Sequence, residues 1–277
     1  MIQASTRRSR TTTTARFTSI AVLLAFASCA NAPPSRDLVQ EFYERSGLAS
    51  RVAHTAELVS QGVAQQHDRI GADALASADR SIRSAYAPAS LETAVVRGLH
   101  ERWNVPQANA TLHWLRSRPG RRISRRAAEA ASPEGTRSLQ EFASRLRADP
   151  PPESRLAQAR RFEDAANGAD FLVDLTLTTS LGIALALNAS LPDEQQADPV
   201  VVRSDIEARR DGFRKILGSA ATIVFLYSVR ESSDAEVDRA VAFAESDAGR
   251  WYERTVSRAY LDALAAASRS IAETRGD

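Results

Sequence analysis

The sequence predicts an all-α fold, a helical bundle built from two related helical units. Three observations lead there. Apolar residues recur at three- and four-residue steps almost everywhere after Pro34, and no alternating run with turn punctuation appears. Ala, Leu, Arg and Glu, all strong helix formers, dominate the composition. One helix-junction signature also occurs twice, 129 residues apart in a single register. With 43% hydrophobic and 25% charged residues the chain can bury a core, which excludes disorder. A single cysteine excludes a disulfide scaffold.

The first segment reads as an export signal. Arg7, Arg8, Arg10 and Arg16 precede the apolar run Ile20–Ala27, and small residues follow. From Phe17 to Ser28 this run would span about 18 Å as a helix, short of the ~30 Å hydrocarbon core, so no stable membrane anchor is expected. Phe26-Ala27-Ser28-Cys29 resembles a lipobox, which implies acylation of Cys29 as the new N-terminus. Plain cleavage after Ala27 or Ala32 is the alternative. The expected organisation is a signal peptide over 1–28, a linker over 29–36, one helical unit over 37–149, a proline break at 150–152, and a second unit over 153–275.

The export segment also corrects the charge. The formal net charge of +2 includes those four arginines; without them 32 basic residues face 34 acids. Global charge therefore gives no support for nucleic-acid binding. Lys215 is the one lysine, so arginine carries almost all the basic character.

The helices are marked in order. Leu38, Val39, Phe42 and Tyr43 share a face, and Leu48, Val52, Ala56, Val59 and Val63 continue the pattern. Asn104-Val-Pro-Gln107 is a helix start with proline in the first turn. Residues 171–189 form the most apolar segment, expected to be the central buried helix rather than a membrane span, since Asp174 would be costly in a bilayer. If buried, Asp174 needs a partner, expected to be an arginine. Asp170, Asp174 and Thr178 make a polar line along it. Ser204-Asp-Ile-Glu207 and Ser233-Asp-Ala-Glu236 both read as capping boxes, the first opening a core helix over 213–229. Pro150-Pro151-Pro152 interrupts any helix.

The repeated signature carries the two-unit expectation. Asn104, Gln107 and Trp114 correspond to Ser233, Glu236 and Phe243. Ser117, Gly120, Arg121, Arg125 and Ala130 correspond identically to Ser246, Gly249, Arg250, Arg254 and Ala259. Upstream, Phe42 with Gly47 matches Phe162 with Gly168 at an offset of 120–121. The motif is expected to form a helix–helix elbow. Serine caps the new helix, glycine leaves room for a crossing helix, and the aromatic closes the corner.

The copies Trp114-Leu-Arg-Ser-Arg-Pro-Gly-Arg-Arg122 and Phe243-Ala-Glu-Ser-Asp-Ala-Gly-Arg-Trp251 resemble the hallmark of an uncharacterised bacterial envelope family, domain of unknown function 2059. Pro119 and Ala248 depart from that family's Ser-Pro step, and Leu115 and Ala244 replace its tyrosine. The resemblance implies an exported all-helical protein of a Gram-negative envelope, without an assigned activity. Ala30 and Asn31 after Cys29, with no aspartate, resemble the sorting pattern of outer-membrane lipoproteins.

Chemistry-bearing motifs are sparse. His54, His67, His100 and His113 form no zinc-binding pair, and there is no Gly-x-Ser-x-Gly elbow or phosphate-binding loop. No cofactor, metal or catalytic residue is expected. Residues 116–126 hold six arginines and no acid; Arg118, Arg121, Arg122, Arg125 and Arg126 are candidates for contact with an anionic surface. The leading expectation is a lipid-anchored, non-enzymatic envelope protein that acts by binding a protein or lipid partner. A small-molecule or lipid-binding module with a cavity between the halves is the alternative, and a hydrolase with dispersed acids ranks below both.

Overall fold

Fourteen α-helices and no strand make up the residues that the computed structural model describes, 34–273. The all-α expectation is met. The signal segment, Cys29, most of the 29–36 linker and residues 274–275 lie outside the described range.

Ser35 opens α1 (Arg36–Arg45), its Oγ accepting from Leu38 N–H at 3.4 Å, and Val39, Phe42 and Tyr43 bury the inner face. Gly47, at φ 81°, turns the chain into α2 (Leu48–Ala64) in a conformation that side chains disfavour. Leu48, Val52, Val59 and Val63 then line the buried face of α2. After α3 (Ala72–Ala85) and α4 (Pro88–Glu101), Asn104 Oδ1 accepts from Gln107 N–H at 3.2 Å and starts α5 (Val105–Arg116). Ser117 and Ser132 cap α6 (Arg118–Ala130) and α7 (Pro133–Ala148).

Pro150–Pro152 lies between α7 and α8 (Glu153–Ala166), but the described residues form one compact unit across it. Asn167, at φ 55°, precedes α9 (Gly168–Ala189) as Gly47 precedes α2. These two left-handed positions lie 120 residues apart, as do Phe42 and Phe162.

The segment after α9 departs from expectation. Asp198, accepting from Val200 N–H at 2.7 Å, starts α10 (Pro199–Glu207) with proline in its first turn, so Ser204 lies inside that helix and caps nothing. The core helix expected over 213–229 is two helices, α11 (Arg210–Leu217) and α12 (Ala220–Ser228), parted at Gly218 and Ser219. Glycine is a poor helix interior residue, and here it ends the run.

The last two helices, α13 (Asp234–Glu245) and α14 (Asp247–Glu273), follow the expected capping box of Ser233 and Glu236. α14 packs along α9, α4 and α5 and carries much of the main core, with Leu264 fully buried. Its polar core positions are satisfied: Tyr260 and Thr55 hydroxyls lie 2.8 Å apart, Tyr86 and Ser268 hydroxyls 2.7 Å apart. Gly182 on α9 makes room for the second pair, since a Cβ there would sit 2.1 Å from the Tyr86 hydroxyl. A smaller core of Ala159, Phe225, Leu226, Val237 and Val241 joins α12 and α13 through α8.

By length and composition α9 would also cross a membrane. Its packing partners include α14, α3, α11 and α10, and Val173, Leu177, Leu181 and Leu185 are buried among them.

Candidate functional site

The two copies of the motif form the same elbow. Ser117 Oγ accepts from Gly120 N–H at 3.1 Å, and Ser246 Oγ accepts from Gly249 N–H at 3.1 Å. The serine N–H groups donate to the carbonyls of Trp114 and Phe243, at 2.9 and 3.0 Å. Arg121 and Arg250 each bond the carbonyl five residues earlier, of Arg116 and Glu245. The glycines are required by the elbow itself. A Cβ on Gly120 would lie 2.1 Å from the Trp114 carbonyl oxygen, and one on Gly249 would lie 2.0 Å from that of Phe243. The obstacle is the last turn of the preceding helix, not a crossing helix as the sequence suggests. Serine, glycine and arginine thus commit their polar atoms inside the corner. The aromatics do something more, because Trp114 stacks on Phe243 with ring centroids 5.1 Å apart and planes 15° apart.

The arginine run does not present one cationic face. Arg122 bonds Glu236 at 2.5 Å and Ser232 at 3.1 Å, and Arg126 bonds Glu231 and Glu129 at 2.8 and 2.9 Å. Both guanidinium groups are turned inward, 22% and 25% exposed. Arg125 lies 3.6 Å from Glu129. Arg118 and Arg121 reach no carboxylate among the described residues. Two arginines of the basic run, Arg122 and Arg126, thus become ties from α6 to the α12–α13 junction, because acids from the second half of the chain meet them.

Asp174 has the arginine partner that its place in an apolar helix demanded, Arg210 at 2.6 Å. The pair is half-buried, with Asp174 32% exposed, so the aspartate is not the fully buried charge envisaged. Asp170 faces Arg214 at 3.4 Å, and the polar line of α9 therefore docks α11.

Among the described residues, no group of three His, Cys, Asp or Glu side chains is placed to hold a metal ion.

What the structure assembles instead is a cavity of about 390 Å³ between α2, α6, α7 and the helices α8, α9, α12, α13 and α14. Its position follows from side-chain size. Ala127, Ala130 and Ala131 on one side and Ala166, Gly168 and Ala221 on the other fill little space, while rings stand around the gap. The Trp114–Phe243 stack forms part of the wall, as does Phe162, stacked on Phe225 at 4.1 Å.

Among the described residues, three ionisable side chains other than tyrosine line it: Arg51, Glu163 and Glu253. Glu253 is half-buried in the cavity wall, and its side chain makes no hydrogen bond among the described residues. Loss of water around it pushes its carboxyl up from the ordinary 4.5 to about 7; Arg51 opposes the rise and Glu163 adds to it. Glu163 is also raised, first by burial, with Asp164 and Asp170 adding to it. The rise is opposed by a hydrogen bond from Ala169 N–H at 2.5 Å, which places this carboxylate at the N-terminus of α9. Burial raises Tyr252 and Tyr260 as well. Arg51 lies 5.7 Å from the Phe171 ring centroid.

None of these polar residues stands out in the motifs. Glu253 follows the second motif copy by two residues and shares the spacing of Val256 and Tyr260, i, i+3 and i+7. A carboxylate inside an apolar stripe was the available signal.

No family model matches the chain, and neither a curated protein nor a solved structure is similar to it at a significant level.

Proposed function

We propose that this protein is an exported helical binding module that takes a small, mostly apolar ligand into the cavity between its helices. The cavity itself carries this reading. Its volume lies in the ~300–1,000 Å³ range of ligand pockets, and apolar and aromatic walls surround a few converging polar groups, the usual makeup of such sites. A surface role through the arginine run has less support, since Arg122 and Arg126 are committed to Glu236, Glu231 and Glu129. Export through residues 1–28 and acylation of Cys29 would tether the module in a Gram-negative envelope, the setting that the resemblance to the uncharacterised envelope family implies.

We also infer that the fold descends from a duplicated helical unit, with the cavity at the seam. Swapped contacts support this. Helix α4 packs on α14 as α12 packs on α6. Trp103 meets Trp251 with centroids 6.2 Å apart, and the positions 129 residues away, Ser232 and Arg122, meet by a 3.1 Å hydrogen bond. Trp114 and Phe243 are each other's counterparts and touch directly.

Titrating the full-length protein with N-phenyl-1-naphthylamine, a small uncharged apolar fluorophore, tests the binding function. Saturable binding is expected, with energy transfer from Trp114 in the wall. Ala127→Phe, which fills the gap, is expected to weaken it about tenfold at unchanged helicity. No saturable binding, or binding indifferent to A127F, would remove the proposal.

A further inference from the structure

The chemistry of the walls narrows the ligand, provided that the cavity is a binding site as proposed. We infer that the ligand is a cationic amphiphile: an amine or quaternary ammonium head set against Glu253 and Glu163, with its apolar tail between the helices.

Three observations converge on a cation. First, Glu253 lines a largely apolar wall, half-buried, and no donor among the described residues bonds its carboxyl. An unpartnered anionic acceptor beside a cavity asks for a positive group. Second, the local charge is acidic. Arg51 from α2 and Glu163 from α8 are the ionisable groups felt by Glu253 besides the tyrosines; Asp164 and Asp170, the latter from α9, act in turn on Glu163. Arg51 is the one cation among these. Third, aromatic rings line the walls, including Phe162, Phe243, Tyr252 and Tyr260. Ring faces attract cations, and aromatic cages beside a carboxylate suit quaternary ammonium groups in particular.

An anionic ligand would use Arg51 instead. It would have to sit against two carboxylates, and each would repel it or require a proton. A cation relieves the same crowding. Its arrival lets Glu253 ionise fully, so binding near neutral pH releases a proton to solvent.

Three probes with one tail and different heads separate the outcomes: octyltrimethylammonium, octanoate and 1-octanol, titrated by calorimetry into the full-length protein. The cation is expected to bind about tenfold more tightly than the alcohol or the acid. Its heat should differ between buffers of different ionisation enthalpy near pH 7, reporting proton release. Glu253→Gln should abolish both the preference and the buffer dependence while still binding octanol. Arg51→Gln should strengthen the cation further, whereas an anion site would lose its ligand. Equal binding of all three, or preference for octanoate, would overturn the cationic assignment and leave the apolar cavity site standing. Failure of all three to bind would overturn both.

Discussion

Trp114 and Phe243 hold matching positions in the two motif copies, 129 residues apart, and their rings stack face to face 5.1 Å apart. Two corners, each made by its own serine and glycine, thus meet through an aromatic contact, beside a 3.4 Å hydrogen bond from the Thr111 hydroxyl to the Ala248 carbonyl. The contact also forms part of the cavity wall. Stacked pairs contribute ~0.5–1.5 kcal/mol beyond their buried area. A double-mutant cycle of Trp114→Ala and Phe243→Ala in urea unfolding should return a coupling energy in that range. Additivity of the two losses would mean that the stack holds nothing together.

The elbow glycines should tolerate no side chain. Gly120→Ala and Gly249→Ala each force a methyl group to within 2.1 and 2.0 Å of a backbone carbonyl oxygen, which must move. Overpacking of this kind costs ~1–3 kcal/mol. The two substitutions should destabilise by similar amounts, because the two corners share one geometry. Urea midpoints measure this, and a neutral effect at either site would contradict the elbow.

Local grammar was legible where it is self-contained. The Asn104 cap, the Ser233–Glu236 box and the Ser117 and Ser246 corners each depend on residues within four positions, and each stands where the sequence places it. Ser204 satisfied the same pattern and failed, because Asp198 and Pro199 begin the helix earlier. The fate of the arginine run was not legible, since Glu231 and Glu236 lie more than 100 residues from Arg122 and Arg126. The cavity was hidden for a related reason: a gap between helices arises from small residues on several of them, and no one segment shows it.

Asp174 and Arg210 provide a calibrated test of that polar line. Partly exposed pairs are worth ~0–1 kcal/mol. Asp174→Ala should therefore cost under about 1 kcal/mol overall, while amide exchange in α10 and α11 speeds up as their tie to α9 is lost. A loss of several kcal/mol would show that Asp174 is a truly buried charge.

Acid should loosen ion pairs both within the first half and between the halves. Glu41 is held near 2 by Arg116 first, and Glu236 near 2 by the Ser233 backbone N–H first and then by Arg122. Both lie below the unfolded value, so their stabilisation is present above about pH 4.5 and disappears as pH falls toward 2. Thermal melts from about pH 5 to about pH 2 should show falling stability. Arg122→Ala should flatten part of that decline; an identical slope would exclude the Arg122 tie as a contributor and leave the Ser233 N–H as the group that holds Glu236.

Glu253 should do the reverse, and its removal should stabilise the fold. Its native carboxyl titrates near 7 against 4.5 unfolded, so between those values the unfolded chain has released a proton that the native state still holds. Stability attributable to this group is therefore full below about pH 4.5, declines as pH rises to about 7, and is level beyond. Glu253→Gln keeps the shape without the charge. At about pH 8 it should raise stability by about 1–3 kcal/mol, less than the full linkage because the amide's donors also sit in an apolar space. The gain should vanish near pH 4, where the native carboxyl is neutral. Melting temperatures of both proteins across that range decide it, and a variant less stable at high pH would show that the native carboxylate is paired rather than waiting for a ligand. Stability gained at the expense of cation binding is the signature expected of a group kept for recognition.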